Sequence, residues 1–225
     1  MSRPLSLQGH IERTRLSDTV YETLLDAITS GKMSPGAIVS EVALSKQLSV
    51  SRTPVHDALR QLAKDGLVEQ RAGRRAIISS FGQEDVHDIF EMRKLLESEA
   101  ARRAATRIEP AIVAKLRVMG EELRNNPDQT DFVSRWADFD DSFHDAIARA
   151  SGSVRLWHDI ARYRLLHRGF NKMATNVDVL QGALEQHLQI LDALAGRDGD
   201  TAARLMISHI QEWQAYFVGH FSRKA

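Results

Sequence analysis

Apolar positions recur along this chain with a helical period almost everywhere and with a strand's period in one short region. Residues 1–10 contain Pro4 and no hydrophobic period, so a loose arm is expected there. Ser17 is a good N-cap, and Val20, Leu24 and Ile28 follow at helical spacing. Gly31 and the Pro35-Gly36 pair then break the pattern. A short helix carrying Leu44 and Leu48 is expected after Ser40. A third follows Ser51 and Thr53, with Pro54 in its first turn and Val55, Leu59 and Leu62 facing inward. Beyond Gly66 the period shortens: runs at 67–71 and 76–79 flank Ala72-Gly73-Arg74-Arg75, which predicts a β-hairpin. After the polar stretch "SSFGQED" (79–85) the helical period returns. Helices are expected near 84–107, 110–125, 130–150, 153–174, 177–195 and 199–222, separated by Asn125-Asn126-Pro127, Gly152, Asn176 and Gly196.

Two short helices, the second opening on a Ser/Thr/Pro cap and leading into a hairpin with a basic tip, outline a winged helix-turn-helix. In that motif the second helix lies in the DNA major groove. The expected fold class is therefore mainly α. An N-terminal winged helix-turn-helix with a small β-hairpin wing spans residues 1–80, and a C-terminal all-helical antiparallel bundle spans 81–225. Arg52, His56 and Arg60 fall at i, i+4 and i+8 beside the apolar face, and with Thr53 they form the candidate DNA-reading set. A bidentate Arg52–guanine contact would discriminate by about 1–3 kcal/mol. Arg74 and Arg75 at the wing tip are candidates for phosphate or minor-groove contact. The alternative for all of them is a solvated charged face.

Composition sharpens this only slightly. Lys and Arg together number 30, as do Asp and Glu, but residues 1–80 carry 11 basic against 8 acidic side chains and the remainder 19 against 22. The absence of cysteine excludes disulfides and thiolate metal sites, and no apolar run is long enough to span a membrane. A cytoplasmic protein is expected.

The bundle helices carry polar residues where apolar ones belong. In "DFDDSFHDAIARASG" (138–152), Asp140 and His144 share the face of Trp136, Phe143 and Ile147. His187 interrupts the stripe Leu180, Leu184, Leu191, Leu194, and His209 interrupts Ala202, Met206, Trp213, Tyr216. A lone histidine on such a face is usually a satisfied core residue. Burying all four groups without partners would cost on the order of several kcal/mol, a cost that convergence on one divalent cation (Zn, Ni, Mn or Fe) would relieve. Arg93 sits on the inward stripe Val86, Phe90, Glu97, Ala100 and needs an anion, either Glu97 one turn away or a ligand carboxylate. Arg164, Arg168 and Asn171 are further candidates to face the same cavity. An open metal site can also serve an enzyme. However, G-x-S-x-G, Walker, G-x-G-x-x-G and H-E-x-x-H motifs are all absent, and no extra acid or base stands beside the ligands.

The stretch "YETLLDAITSGKMSPGAIVSEVALSKQLSVSRTPVHDALRQLAKDGLVEQRAGRRAIIS" closely resembles the DNA-binding domain of the GntR family of bacterial regulators. Relatives usually read P-V-R-E-A-L where this chain has Pro54-Val55-His56-Asp57-Ala58-Leu59, so His56 replaces an arginine implicated in operator contact. "VHDIFEMRKLLESEAARRAA", "DFDDSFHDAIARASG" and "LEQHLQILDALAGRDGDTAARLMISHI" resemble the FCD effector domain of the FadR subfamily, in its shorter, six-helix VanR-like variant. In metal-binding members the ligands map onto Asp140, His144, His187 and His209. The resemblance implies an effector carboxylate completing the metal's coordination and held by Arg93. It also implies a homodimer reading a palindromic operator on double-stranded DNA, acting as a repressor that responds to a small organic or sugar acid. The alternatives are a sensor of the metal alone and, further off, a helical metalloenzyme.

Overall fold

The computed structural model describes residues 8–71, 75–79, 83–171 and 177–221, with only the backbone at 8–15, 29, 71, 168–171 and 218–221. It divides into two compact units, Met1–Phe81 and Gly82–Ala225. Among the described residues no helix is long and apolar enough to cross a membrane.

The first unit runs α1 (Gln8–Thr29), β1 (Ile38–Ser40), α2 (Glu41–Gln47), α3 (Arg52–Lys64), β2 (Val68–Arg71), β3 (Arg75–Ile78). Val20, Leu24 and Ile28 of α1 are buried together with Val55, Leu59 and Leu62 of α3, as their spacing predicts. Tyr21 donates a 2.7 Å hydrogen bond to Asp65, tying α1 to the end of α3. Ser40 caps α2 by accepting from the Ala43 amide, whereas Ser51 starts α3 without a side-chain cap. Gly66 closes α3 at φ +77°, where its amide bonds back to Ala63 and the Leu67 amide bonds back to Leu62. A side chain would strain this left-handed position, and the reversal launches the wing.

Three expectations are corrected here. The first helix begins at Gln8 rather than near Ser17, so residues 8–10 of the expected arm are helical. From Gln8 onward no proline stops a helix whose buried face lies further along, and propagation needs less than nucleation. The sheet has three strands in the order β1-β3-β2, not two. The additional strand pairs Ile38 with Ile77 and Ser40 with Arg75. Its three residues follow a Pro-Gly turn and are too few to show a period. Arg75 belongs to β3 rather than to the turn, while Ala72, Gly73 and Arg74 lie outside the described residues.

The second unit is a bundle of α4 (Gln83–Ala104), α5 (Pro110–Asn125), α6 (Phe132–Ala150), α7 (Val154–Asn171), α8 (Val177–Ala195) and α9 (Gly199–Phe221). α4 lies along α9, and α8 packs on both α5 and α9. Gly120 lets α5 approach closely, since a Cβ there would stand 3.0 Å from Leu188 and 3.2 Å from Phe139. Phe139, Phe143 and Trp136 pack around the His187 ring, and the Trp136 indole donates to the Leu180 carbonyl at 3.0 Å. The core of this unit is thus aromatic up to the edge of a polar centre.

Candidate functional site

Asp140 and His144 leave α6 one turn apart, His187 leaves α8 and His209 leaves α9. One ligand atom from each lies within 4.8 Å of every other. All four residues are buried, Asp140 the most accessible at 5%. Asp140 Oδ1 is 3.5 Å from His144 Nε2 and 3.4 Å from His187 Nε2, and His187 Nε2 is 3.2 Å from His209 Nε2. Donors held about 2.1 Å from a tetrahedral ion stand about 3.4 Å apart; these three spacings match that value, and the four ligand atoms as a set lie within 4.8 Å of one another.

Surrounding groups set the tautomers. The Gln186 carbonyl oxygen lies 2.8 Å from His209 Nδ1, which must donate to it, leaving a lone pair on His209 Nε2. Gln186 is itself oriented by donating its amide to Glu212. Glu97 closes on His144 Nδ1 and also accepts from Arg93 Nε at 2.8 Å. Neither ring nitrogen of His144 has a partner in hydrogen-bonding geometry among the described residues, nor does His187 Nδ1. Of these, His144 Nε2 faces the cluster, and a bound ion would satisfy it. The buried Asp/His cluster could therefore hold a metal.

Electrostatics are consistent with neutral imidazoles at His187 and His209 beside ionised carboxylates. Burial, only partly countered by Asp140, pushes the His187 imidazole down to about 3. Burial, aided by the neighbouring His187 and His144, holds His209 well below its ordinary value. Burial works to raise Asp140, but the Arg164 guanidinium, with His144 and His187, outweighs it and keeps the carboxyl well below the usual range. Glu97 behaves alike, with Arg93 and His144 overcoming its burial. These are the protonation states a cation prefers.

Arg93 takes the internal partner that its sequence offered, Glu97, yet its Nη1 has no partner among the described residues. Arg164 faces the cluster and donates to Asp140 at 2.5 Å and to Asp141 at 3.1 Å. The side chains of Arg168 and Asn171 lie outside the described residues. Among the described residues of α7, Ile160, Arg164, Leu166 and His167 are buried. His167, three residues beyond Arg164 on the same helix face, is a buried polar residue that the sequence pattern did not single out.

In the first unit, Arg52, Thr53, His56 and Arg60 are all exposed on α3, and Arg75 is exposed on β3. Glu41, buried at the start of α2, lies 2.7 Å from His56 Nδ1 and 3.8 Å from Arg52. This tether was not anticipated from the sequence, because it joins residues on different helices.

Comparison with known proteins adds the family. Residues 16–78 match the gntR family of bacterial regulatory proteins and residues 88–212 match the FCD domain. The chain belongs to the GntR family, as a DNA-binding transcriptional regulator carrying an FCD domain, and not to a family of enzymes. It is 28% identical over 198 residues to the HTH-type transcriptional repressor RspR of Escherichia coli, covering 88% of this chain and 86% of that one. It is also 28% identical over 195 residues to the Nta operon transcriptional regulator of Aminobacter aminovorans, covering 79% and 83%. Among solved structures, E. coli McbR/YncC shares the fold at a TM-score of 0.73 and 22% identity, over 92% of this chain and 98% of that one.

Proposed function

We propose that this regulator senses a small carboxylate metabolite bound together with a divalent metal in the helical unit, and that it acts as a homodimeric repressor of a palindromic operator. In this reading residues 1–80 hold the DNA, and 81–225 bind the effector and dimerise. The observation that carries it is the convergence of Asp140, His144, His187 and His209 in a dry core, flanked by two guanidinium groups whose Nη1 atoms have no partner among the described residues. The four donors would hold the ion, and the ion would supply a Lewis-acidic contact for one carboxylate. Arg93 would orient that carboxylate from α4, and Arg164, already bound to Asp140, would fix the α7 side. Arg52, Thr53, His56 and Arg60 would meet the major groove, and Arg74 and Arg75 the flanking backbone. The acid releases the operator only if it binds one arrangement of the DNA-binding units more tightly than the other.

A second reading, a sensor of the metal alone, is favoured by one observation: the three spacings of 3.2–3.5 Å linking His144, Asp140, His187 and His209 are those of a tetrahedral ion, whose four positions the protein's own donors would fill. Zinc and a panel of small acids, titrated separately into operator-bound protein and followed by fluorescence anisotropy, separate the two. Release by an acid only while metal is loaded is the expected result. Operator affinity that follows zinc and ignores every acid would establish the second reading instead.

A further inference from the structure

The core beside the cluster holds more unsatisfied donors than an ion can use. Arg93 Nη1, Arg164 Nη1 and both ring nitrogens of His167 are buried and lack hydrogen-bond partners among the described residues. Their residues are 1%, 6% and 3% exposed, so solvent does not serve them. Leaving a buried polar group unpaired costs about 1–3 kcal/mol, more if it is charged; since a neutral imidazole donates from one nitrogen, Arg93 Nη1, Arg164 Nη1 and one nitrogen of His167 are three donors that demand an acceptor.

The surroundings of His167 say where that acceptor belongs. Its ring lies edge-on to Phe90 at 5.2 Å and Phe217 at 5.6 Å, with Trp213 at 6.2 Å. The Arg93 guanidinium lies 5.4 Å from the same Phe90 ring, so Arg93 and His167 share one aromatic wall. The charges of Arg93, Arg164, Asp140 and Glu97 all act on His167, which places it within electrostatic reach of the cluster.

Charge balance points the same way. Buried Arg93 and Arg164 are matched by buried Glu97 and Asp140, and imidazoles that ligate an ion do so in the neutral form. A divalent ion then adds two positive charges to a region from which water is excluded, and buried charge persists only when it is paired. A monocarboxylate matches one of those charges, and the remaining carboxylate at hand, Asp141, is already bonded to Arg164 and partly in solvent, so a second ligand carboxylate would balance the other within the core.

We propose that His167, with Arg93 and Arg164, forms a second anion-holding arm beside the metal cluster, so that the acid sensed is a dicarboxylate. One carboxylate is shared by the cluster and an arginine, and the other is bound at His167. This rests on the carboxylate-sensing reading above and adds the number of anionic heads and the residue that counts them.

The test is calorimetric titration of zinc-loaded protein with straight-chain dicarboxylates from malonate to adipate, each beside the monocarboxylate of the same carbon number. At least one dicarboxylate is expected to bind tenfold or more tightly than its match. His167→Phe, which keeps a ring but removes both nitrogens, is expected to reduce that preference by roughly ten- to a hundredfold while leaving zinc content unchanged. His167→Gln, which retains a donor and an acceptor, is expected to preserve part of it and serves in place of the phenylalanine variant should that one not fold. Equal binding of paired acids, or a preference indifferent to both substitutions, overturns the inference while carboxylate sensing stands. Failure of every acid to bind the zinc-loaded protein overturns both.

Discussion

Both units bury a carboxylate beside cationic side chains, but they leave those cations in opposite environments. In the first, Glu41 is buried while its partners Arg52 and His56 keep 47% of their side-chain surface exposed. In the second, Asp140 and Glu97 are buried together with Arg164, Arg93 and the histidines. A half-exposed cation keeps its hydration and can exchange its partner for a base edge or a phosphate at little loss. A fully buried one has no such freedom and must be balanced from within or by a ligand that enters. The same pairing chemistry suits presentation to a large polyanion in one place and, on the function proposed above, capture of a small one in the other.

Removing each carboxylate should expose this difference most strongly. Asp140→Ala leaves Arg164 buried without its closest partner and should cost about 3–5 kcal/mol in urea unfolding, with loss of bound metal measured by mass spectrometry. Glu41→Ala leaves its partners in water and should cost less than about 1 kcal/mol. Equal losses would erase the contrast. Next in size, Arg52→Ala should weaken operator binding by about 1–3 kcal/mol in anisotropy titrations and nonspecific binding far less. A uniform loss on all sequences would make Arg52 a phosphate contact only.

The smallest effect is a pH slope. Burial first, then the charges of Arg93 and Arg164, depress His167 well below the unfolded value of about 6.5. Its contribution to stability is therefore complete above that value and is lost as pH falls below it, by up to about 1.4 kcal/mol per pH unit. Metal-free protein should lose stability between pH 6.5 and pH 5, and in His167→Phe that loss should be smaller by about 1–2 kcal/mol. Parallel curves for the two proteins would mean that the imidazole reaches water in the folded state.

How much of this was legible in the sequence depended on how local the determining forces are. The six bundle helices, and the buried positions of Asp140, His144, His187 and His209, follow from a 3.6-residue period sustained over 16 or more residues per helix. The three-residue strand β1 has no period to show and exists because β3 offers it a partner. Along α7 one helix face admits steps of both three and four, so spacing alone does not single out His167, which packs against Phe90 and Phe217. The links Glu41–His56 and Gln186–His209 join residues on separate helices, so neither leaves a mark in spacing along the chain.

The chain from Glu212 through Gln186 to His209 makes a deeply buried atom answerable to the protein's surface. Glu212 is exposed, and it occupies the amide nitrogen of Gln186, so that only the oxygen is left to face the imidazole. Were that amide to turn over, His209 would have to accept at Nδ1 and carry its proton on Nε2, and the core would present an N–H where a cation needs a lone pair. A carboxylate in solvent thereby works as a chemical latch, setting whether the fourth corner of the cluster attracts a metal or repels it.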